Sequence, residues 1–168
     1  MVDHLKVGSR IPCSAEKLAG MLDETRWANE FSWEQLVKIA EYMKLYELTA
    51  ETVIFSEGET DRYMGIVLKG IVDIYKRDGK NTHNRIARIS TSQSLGEMAL
   101  VDGQPRSAKV IAASEVLLVV LSRDGFLRLA AAQPQVALEV LLKISQMLSL
   151  RLRQTSGQLV DFLGAGDS

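Results

Sequence analysis

Residues 95–110 read L-G-E-M-A-L-V-D-G-Q-P-R-S-A-K-V, and the conformation of this stretch decides what the rest of the chain must support. Gly96 and Gly103 permit backbone conformations that a Cβ opposes, and Pro105 fixes the turn before Arg106. Between the glycines, Glu97-Met98-Ala99-Leu100-Val101 has the composition of one short helical turn. Such a turn points unpaired backbone N–H groups at its mouth, which favours an anion there. Arg106 closes on the same anion with a planar fork of donors. Glu97 repels a phosphate, so it fits only if it accepts hydrogen bonds from a neutral hydroxyl. Amides, an arginine and one acceptor together suit a sugar phosphate.

These residues resemble the phosphate-binding cassette of the cyclic nucleotide-binding domain family. That family includes catabolite-activator-type regulators, the regulatory subunit of protein kinase A and cyclic nucleotide-gated channels. Its pattern, roughly G-E-x-A-L, a short spacer, then P-R-x-A and an apolar residue, is matched here. Gly96-Glu97-Met98-Ala99-Leu100 is followed by Pro105-Arg106-Ser107-Ala108-Lys109-Val110. The resemblance implies that Glu97, with Gly96, takes the ribose 2′-hydroxyl and that Arg106 takes the cyclic phosphate. Amides near Ala99 and at Ser107 and Ala108 would complete the cradle. The competing reading is a roll that keeps this shape and binds nothing; non-binding relatives usually lose the glutamate or the arginine, and this chain keeps both.

With 168 residues the chain is large enough for a hydrophobic core of its own, and a formal net charge of −1 provides no global attraction for nucleic acid or an acidic membrane. No apolar run is long enough to span a bilayer, and Met1-Val2-Asp3-His4-Leu5-Lys6 lacks the basic-then-apolar build of a signal peptide. Cys13 is alone, which excludes a disulfide framework and makes the cytoplasm the simplest compartment. It reads as an incidental residue in a loose leader over residues 1–14.

Ser14 is placed to cap a helix over 15–24 with Leu18, Met21 and Leu22 on one face. Ser32 and Gln35 form a capping box, opening a helix with Leu36, Ile39, Ala40 and Met43 on one side. Trp27, Phe31 and Trp33 read as packing aromatics. From Leu45 the period becomes that of strands: 52–55, 63–69, 71–76, 85–90, 109–112 and 116–121. Asp78-Gly79 reads as a tight hairpin turn, and His83 as a solvated residue in a polar turn. The pattern is mainly β with flanking helices, an antiparallel roll or barrel capped at both ends. The resemblance specifies it further as a jelly-roll-like double-stranded β-helix. In that family Gly58, Gly70 and Gly96 make the roll turn. The expected organisation is a leader and short helix over 1–30, the nucleotide-binding domain over 31–163 and a flexible tail over 164–168.

Residues 122–133 predict one helix, and Pro134 opens a second running from Gln135 to about Phe162. Ala137, Leu141, Ile144, Leu148, Leu152, Thr155, Leu159 and Phe162 follow three-four spacing, with further apolar rows through Val136, Val140, Met147 and Leu150 and through Leu138 and Leu142. Such a helix needs cover on two sides. Its own roll supplies one; the other calls for a second copy of the helix in a homodimer, or for the N-terminal helices within a monomer.

Arg151-Leu152-Arg153-Gln154-Thr155-Ser156 is similar to the helical run that lies over the purine in catabolite-activator-type proteins. By that resemblance Thr155 meets the adenine edge from its own subunit, Ser156 does so across the dimer, and Arg151 sits near the nucleotide's polar edge. Ile74, Ile86 and Leu95 would line the pocket. Ser107 does not separate cAMP from cGMP, whereas Thr155-Ser156 favours cAMP; Glu97 suits a free ribose hydroxyl better than a cyclic dinucleotide. The family's winged helix-turn-helix has no room before Ser168, there is no Walker-type loop or kinase signature, and two histidines are too few for a cupin-like metal site. The expectation is a non-catalytic cAMP or cGMP sensor without metal, without direct contact to nucleic acid or membrane, and with an unnamed downstream protein partner. The alternative is a nucleotide-free scaffold that docks a partner through its last helix.

Overall fold

The computed structural model describes residues 8–166. Strand β1 (Ser9–Ile11) precedes helix α1 (Ala15–Asp23), a 3-10 turn (Arg26–Ala28) and helix α2 (Trp33–Ala40). Eight further strands follow: β2 (Met43–Leu48), β3 (Val53–Phe55), β4 (Tyr63–Lys69), β5 (Val72–Arg77), β6 (His83–Ile89), β7 (Ser94–Leu95), β8 (Lys109–Ala112) and β9 (Val116–Ser122). The short helix α3 (Glu97–Asp102) lies between β7 and β8, and α4 (Arg123–Ala132) and α5 (Pro134–Gly166) end the chain.

All pairings are antiparallel, in two sheets ordered β1-β2-β9-β4-β7 and β3-β8-β5-β6. The β-roll expected from the sequence is the observed fold. The alternation of side chains along each strand explains its layering. In β9, Leu118 and Val120 enter the core between the sheets, joined by Tyr46, Val67, Val72 and Val110. Val119 and Leu121 point the other way and meet Leu22, Trp27, Leu36, Ile39, Val140 and Ile144 of the helices. Strand β9 is therefore buried on both faces, which is why it reads as an almost unbroken apolar run.

Several local expectations are corrected. The chain leaves the helix at Ala40, and Met43 opens β2, opposite Leu121. Trp27 and Phe31 are buried 5.1 Å apart, while Trp33, the first residue of α2, is 52% exposed. Part of the supposed leader is ordered: Ser9, Arg10 and Ile11 pair with Glu47, Tyr46 and Leu45, and Cys13 packs half-buried against the helical core. His4 lies outside the described residues, and His83 is an exposed strand residue opposite Arg77.

The hairpin between β5 and β6 is wider than a two-residue turn. Asp78 N–H donates to Thr82 O at 2.9 Å, and the Asp78 carboxylate accepts from the amides of Lys80 and Thr82. The left-handed residue of this loop is Asn81, with φ 67°, so Gly79's special freedom is not used. At the other end of the chain α5 continues through 164–166, across the segment expected to be a tail.

Candidate functional site

The cassette is built at the end of β7, whose Leu95 pairs with Gly65 and Ser94 with Ile66. Gly96 then takes φ 76° and starts α3, and Gly103 takes φ 68° and ends it. The Arg123 guanidinium closes the C-terminal end, Nη1 donating to Leu100 O at 2.6 Å and Val101 O at 2.9 Å. A cation suits that end of a helix because the last carbonyls lack amide partners.

Arg106 is 4% exposed. Its main chain is clamped by the β3–β4 loop, its N–H donating to Glu59 O at 2.7 Å and its carbonyl accepting from Gly58 N–H at 2.8 Å. The guanidinium carbon lies 3.9 Å from the Phe55 ring centre and 4.3 Å from that of Tyr63. Nη1 donates to Gly96 O at 3.2 Å, whereas Nε and Nη2 are buried without a partner. Burial lowers the guanidinium's pKa from its ordinary value and raises that of the Tyr63 hydroxyl, which donates to Ile54 O at 3.0 Å. The aromatic faces offset part of the desolvation, yet two idle charged donors still leave the site with an unmet demand for an anion.

Glu97 is 2% exposed and held from two directions. Oε1 accepts from the Ser94 hydroxyl, and Oε2 accepts from Arg151 Nη1 at 2.9 Å. Arg151 Nη2 donates to Ser94 O at 2.7 Å, so α5 is tied directly to the cassette. On the far side Lys76 links Glu57, at 2.7 Å, to the carbonyl of Ser107. This lysine holds the Glu57 carboxyl below its usual pKa. Among the described residues no three His, Cys, Asp or Glu side chains converge as a metal site requires.

The model of the cyclic nucleotide-binding domain family matches residues 46–133. The chain belongs to that family. It is 28% identical over 110 residues to the CRP-like cAMP-activated global transcriptional regulator of Mycobacterium tuberculosis, covering 66% of this chain and 47% of the regulator. The match covers less than half the length of this regulator and about a quarter of the related protein kinase regulatory subunits and potassium channel. A cyclic nucleotide-binding domain from Methylobacillus flagellatus superposes with a TM-score of 0.79 at 26% identity, over 90% of this chain and 87% of that one. The Thermus thermophilus catabolite activator protein, at 24% identity and a TM-score of 0.71 over 82% of this chain and 62% of its own, shares the fold.

Within this cyclic nucleotide-binding domain, Gly96, Glu97, Ala99, Arg106 and Arg151 come together around the cassette. Leu95 is buried in the inter-sheet core and Ile74 packs half-buried against it. Ser107 is exposed with its hydroxyl 4.0 Å from Met98 Sδ, and Ala108 is half-buried beside it. Ile86 does not line an enclosed pocket, being 60% exposed on β6, an edge strand of its sheet. Thr155 and Ser156 are exposed and donate to their own helix, at Arg151 O and Leu152 O, both at 2.9 Å. Sequence reasoning missed Phe55, Tyr63, Ser94 and Lys76. Each is an unremarkable strand residue until the roll sets it against the cassette.

Proposed function

We propose that this domain is a non-catalytic cytoplasmic sensor of a cyclic mononucleotide, with cAMP preferred over cGMP. The observation that carries the reading is the buried Arg106 guanidinium with two unpartnered donors, beside a glutamate that the same glycine turn presents. The cAMP-activated regulator among the relatives supports the choice of ligand. Arg106 takes the cyclic phosphate, with the amides of Ala99, Ser107 and Ala108 around it, and Glu97, next to Gly96, accepts the ribose 2′-hydroxyl. Because the idle donors are shielded, the guanidinium must turn outward or its cover must shift before a phosphate reaches it. Ligand engagement and rearrangement of the cassette are then one event, and the Arg151–Glu97 pair carries it into α5. Thr155 and Ser156 would exchange their intrahelical hydrogen bonds for contacts to the base in the liganded, dimeric state.

No metal and no contact with nucleic acid or membrane enters this reading; among the described residues no helix is long and apolar enough to cross a membrane. Titration calorimetry with cAMP and cGMP tests it. Arg106→Ala is expected to weaken binding by about 2–5 kcal/mol, the scale for losing one partner of a buried charge pair. An unchanged affinity would remove the phosphate assignment. A wild-type chain that binds neither nucleotide would leave the scaffold reading, in which α5 docks a protein partner.

A further inference from the structure

Ser94 is wholly buried, and its position is fixed by β7 pairing with β4. Its single hydroxyl proton has two possible takers, Glu97 Oε1 and Met147 Sδ at 3.9 Å. A carboxylate oxygen is far the stronger acceptor, so the proton points at Glu97 and the sulfur is a packing neighbour. The ring closes through Arg151, which takes Glu97 Oε2 with one nitrogen and the Ser94 carbonyl with another. Both carboxylate oxygens are thereby pinned, and the plane of a group whose terminal torsion is otherwise broad is set. The oxygens keep further lone pairs, so an incoming hydroxyl can be accepted without breaking the ring.

We infer that Ser94 is a positioning residue, one that aims the Glu97 carboxylate and so sets how strictly the site demands a free ribose hydroxyl. The inference rests on the cyclic nucleotide reading above. Without the Ser94 hydroxyl, Oε1 loses its fixed donor, the carboxylate follows Arg151 alone, and the geometry offered to a ribose loosens. The affinities of cAMP and 2′-deoxy-cAMP for the full chain test this. Wild type should prefer cAMP by roughly ten- to a hundredfold, the worth of one hydrogen bond to a charged group. In Ser94→Ala that preference should shrink to within about threefold, with the deoxy analogue bound nearly as well as by wild type. Ser94→Cys keeps the side chain's shape at a slightly larger volume, with only a weak donor, and should behave like Ser94→Ala, which separates the hydrogen bond from a cavity left by truncation. Equal weakening of both ligands, or an intact preference in both variants, overturns the inference while leaving the nucleotide reading standing. A wild-type chain that binds neither ligand overturns both.

Discussion

Gly96 meets two demands at once. Its φ of 76° is one that side chains with a Cβ resist, and an added Cβ would stand 2.7 Å from Arg106 Nη1 and 2.9 Å from Tyr63 O. The arginine tip could yield; the Tyr63 main chain, held in β4, could not. Gly96→Ala should therefore cost at least about 1–2 kcal/mol from the backbone conformation alone. At roughly 2–4 °C per kcal/mol for a domain of this size, differential scanning calorimetry would show it as a melting temperature several degrees lower. Asp73 is a second such residue. It is 5% exposed and receives Arg88 Nε at 2.7 Å and Nη2 at 2.9 Å, with Arg85 Nη1 at 3.5 Å. The hydrogen bonds from Arg88 hold its carboxyl below the ordinary 3.8. The unfolded chain thus takes up this proton first as the solution is acidified. The stabilisation is complete above about pH 5, well clear of the unfolded value, and is lost as pH falls through the lower, folded value. In Asp73→Asn the melting temperature should be lower at neutral pH and fall less steeply between about pH 5 and pH 3; a parallel pH profile would show that the ion pair adds nothing.

Among the elements, α2 opens on a complete capping box. Gln35 N–H donates to Ser32 Oγ at 3.2 Å, and Ser32 N–H donates to Gln35 Oε1 at 2.9 Å. Gln35 Nε2 also reaches Glu139 at 2.6 Å, so a local capping residue doubles as a tie between α2 and α5. The β5–β6 hairpin separates what its residue types promise from what its geometry uses. An added Cβ at Gly79 meets nothing within 4 Å, and its φ lies outside the left-handed region occupied by Asn81. Gly79→Ala should be neutral or stabilise by up to about 1 kcal/mol through the unfolded chain. Asn81→Val should instead cost about 1–2 kcal/mol, because a β-branched residue opposes that conformation. Urea denaturation of the two variants decides between the hairpin of the structure and a two-residue Asp-Gly turn, which would reverse the order.

At the scale of the molecule, α5 has two lives. Val136, Ala137, Val140 and Ile144 are buried in one core with α1, α2 and β9, and Lys143 reaches Glu30 at 2.7 Å. The N-terminal helices thus supply cover for the first half of α5. From Leu152 to residue 165 every residue is exposed, with Leu152 at 67%, Val160 at 68% and Phe162 at 77%. The exposed apolar side chains of this stretch are the surface that the proposed homodimer would cover. Leu148 packs against the helical core, so a test of that dimer belongs further along. The proposed homodimer predicts that wild type sediments as a dimer and that Leu152→Lys combined with Phe162→Lys sediments as a monomer. Equal masses would refute assembly through this face, while leaving the roll and its cassette untouched.

The cassette was legible because it is local. Its two left-handed glycines, its six-residue helix, the glutamate and the arginine all lie within 95–110, where near neighbours dictate backbone conformation. Strand alternation and the caps at Ser14 and Ser32 were readable for the same reason. Short-range rules misjudged Met43, Trp33 and Gly79, where a strand partner, the solvent-facing side of a helix and an Asn in the left-handed position prevailed. Which side chains meet the cassette depends on sheet register and on the rotation of α5. Arg106 lies against Phe55 and Tyr63 because β3 and β4 deliver them there. Glu97 is bound to Arg151 across 54 residues. Thus the sequence alone determined an anion site suited to a sugar phosphate on a mainly β fold, through contiguous backbone chemistry, and its resemblance to a known family supplied the cyclic nucleotide. Only the tertiary structure decided how its charges are held, because partners distant in the chain are chosen by packing.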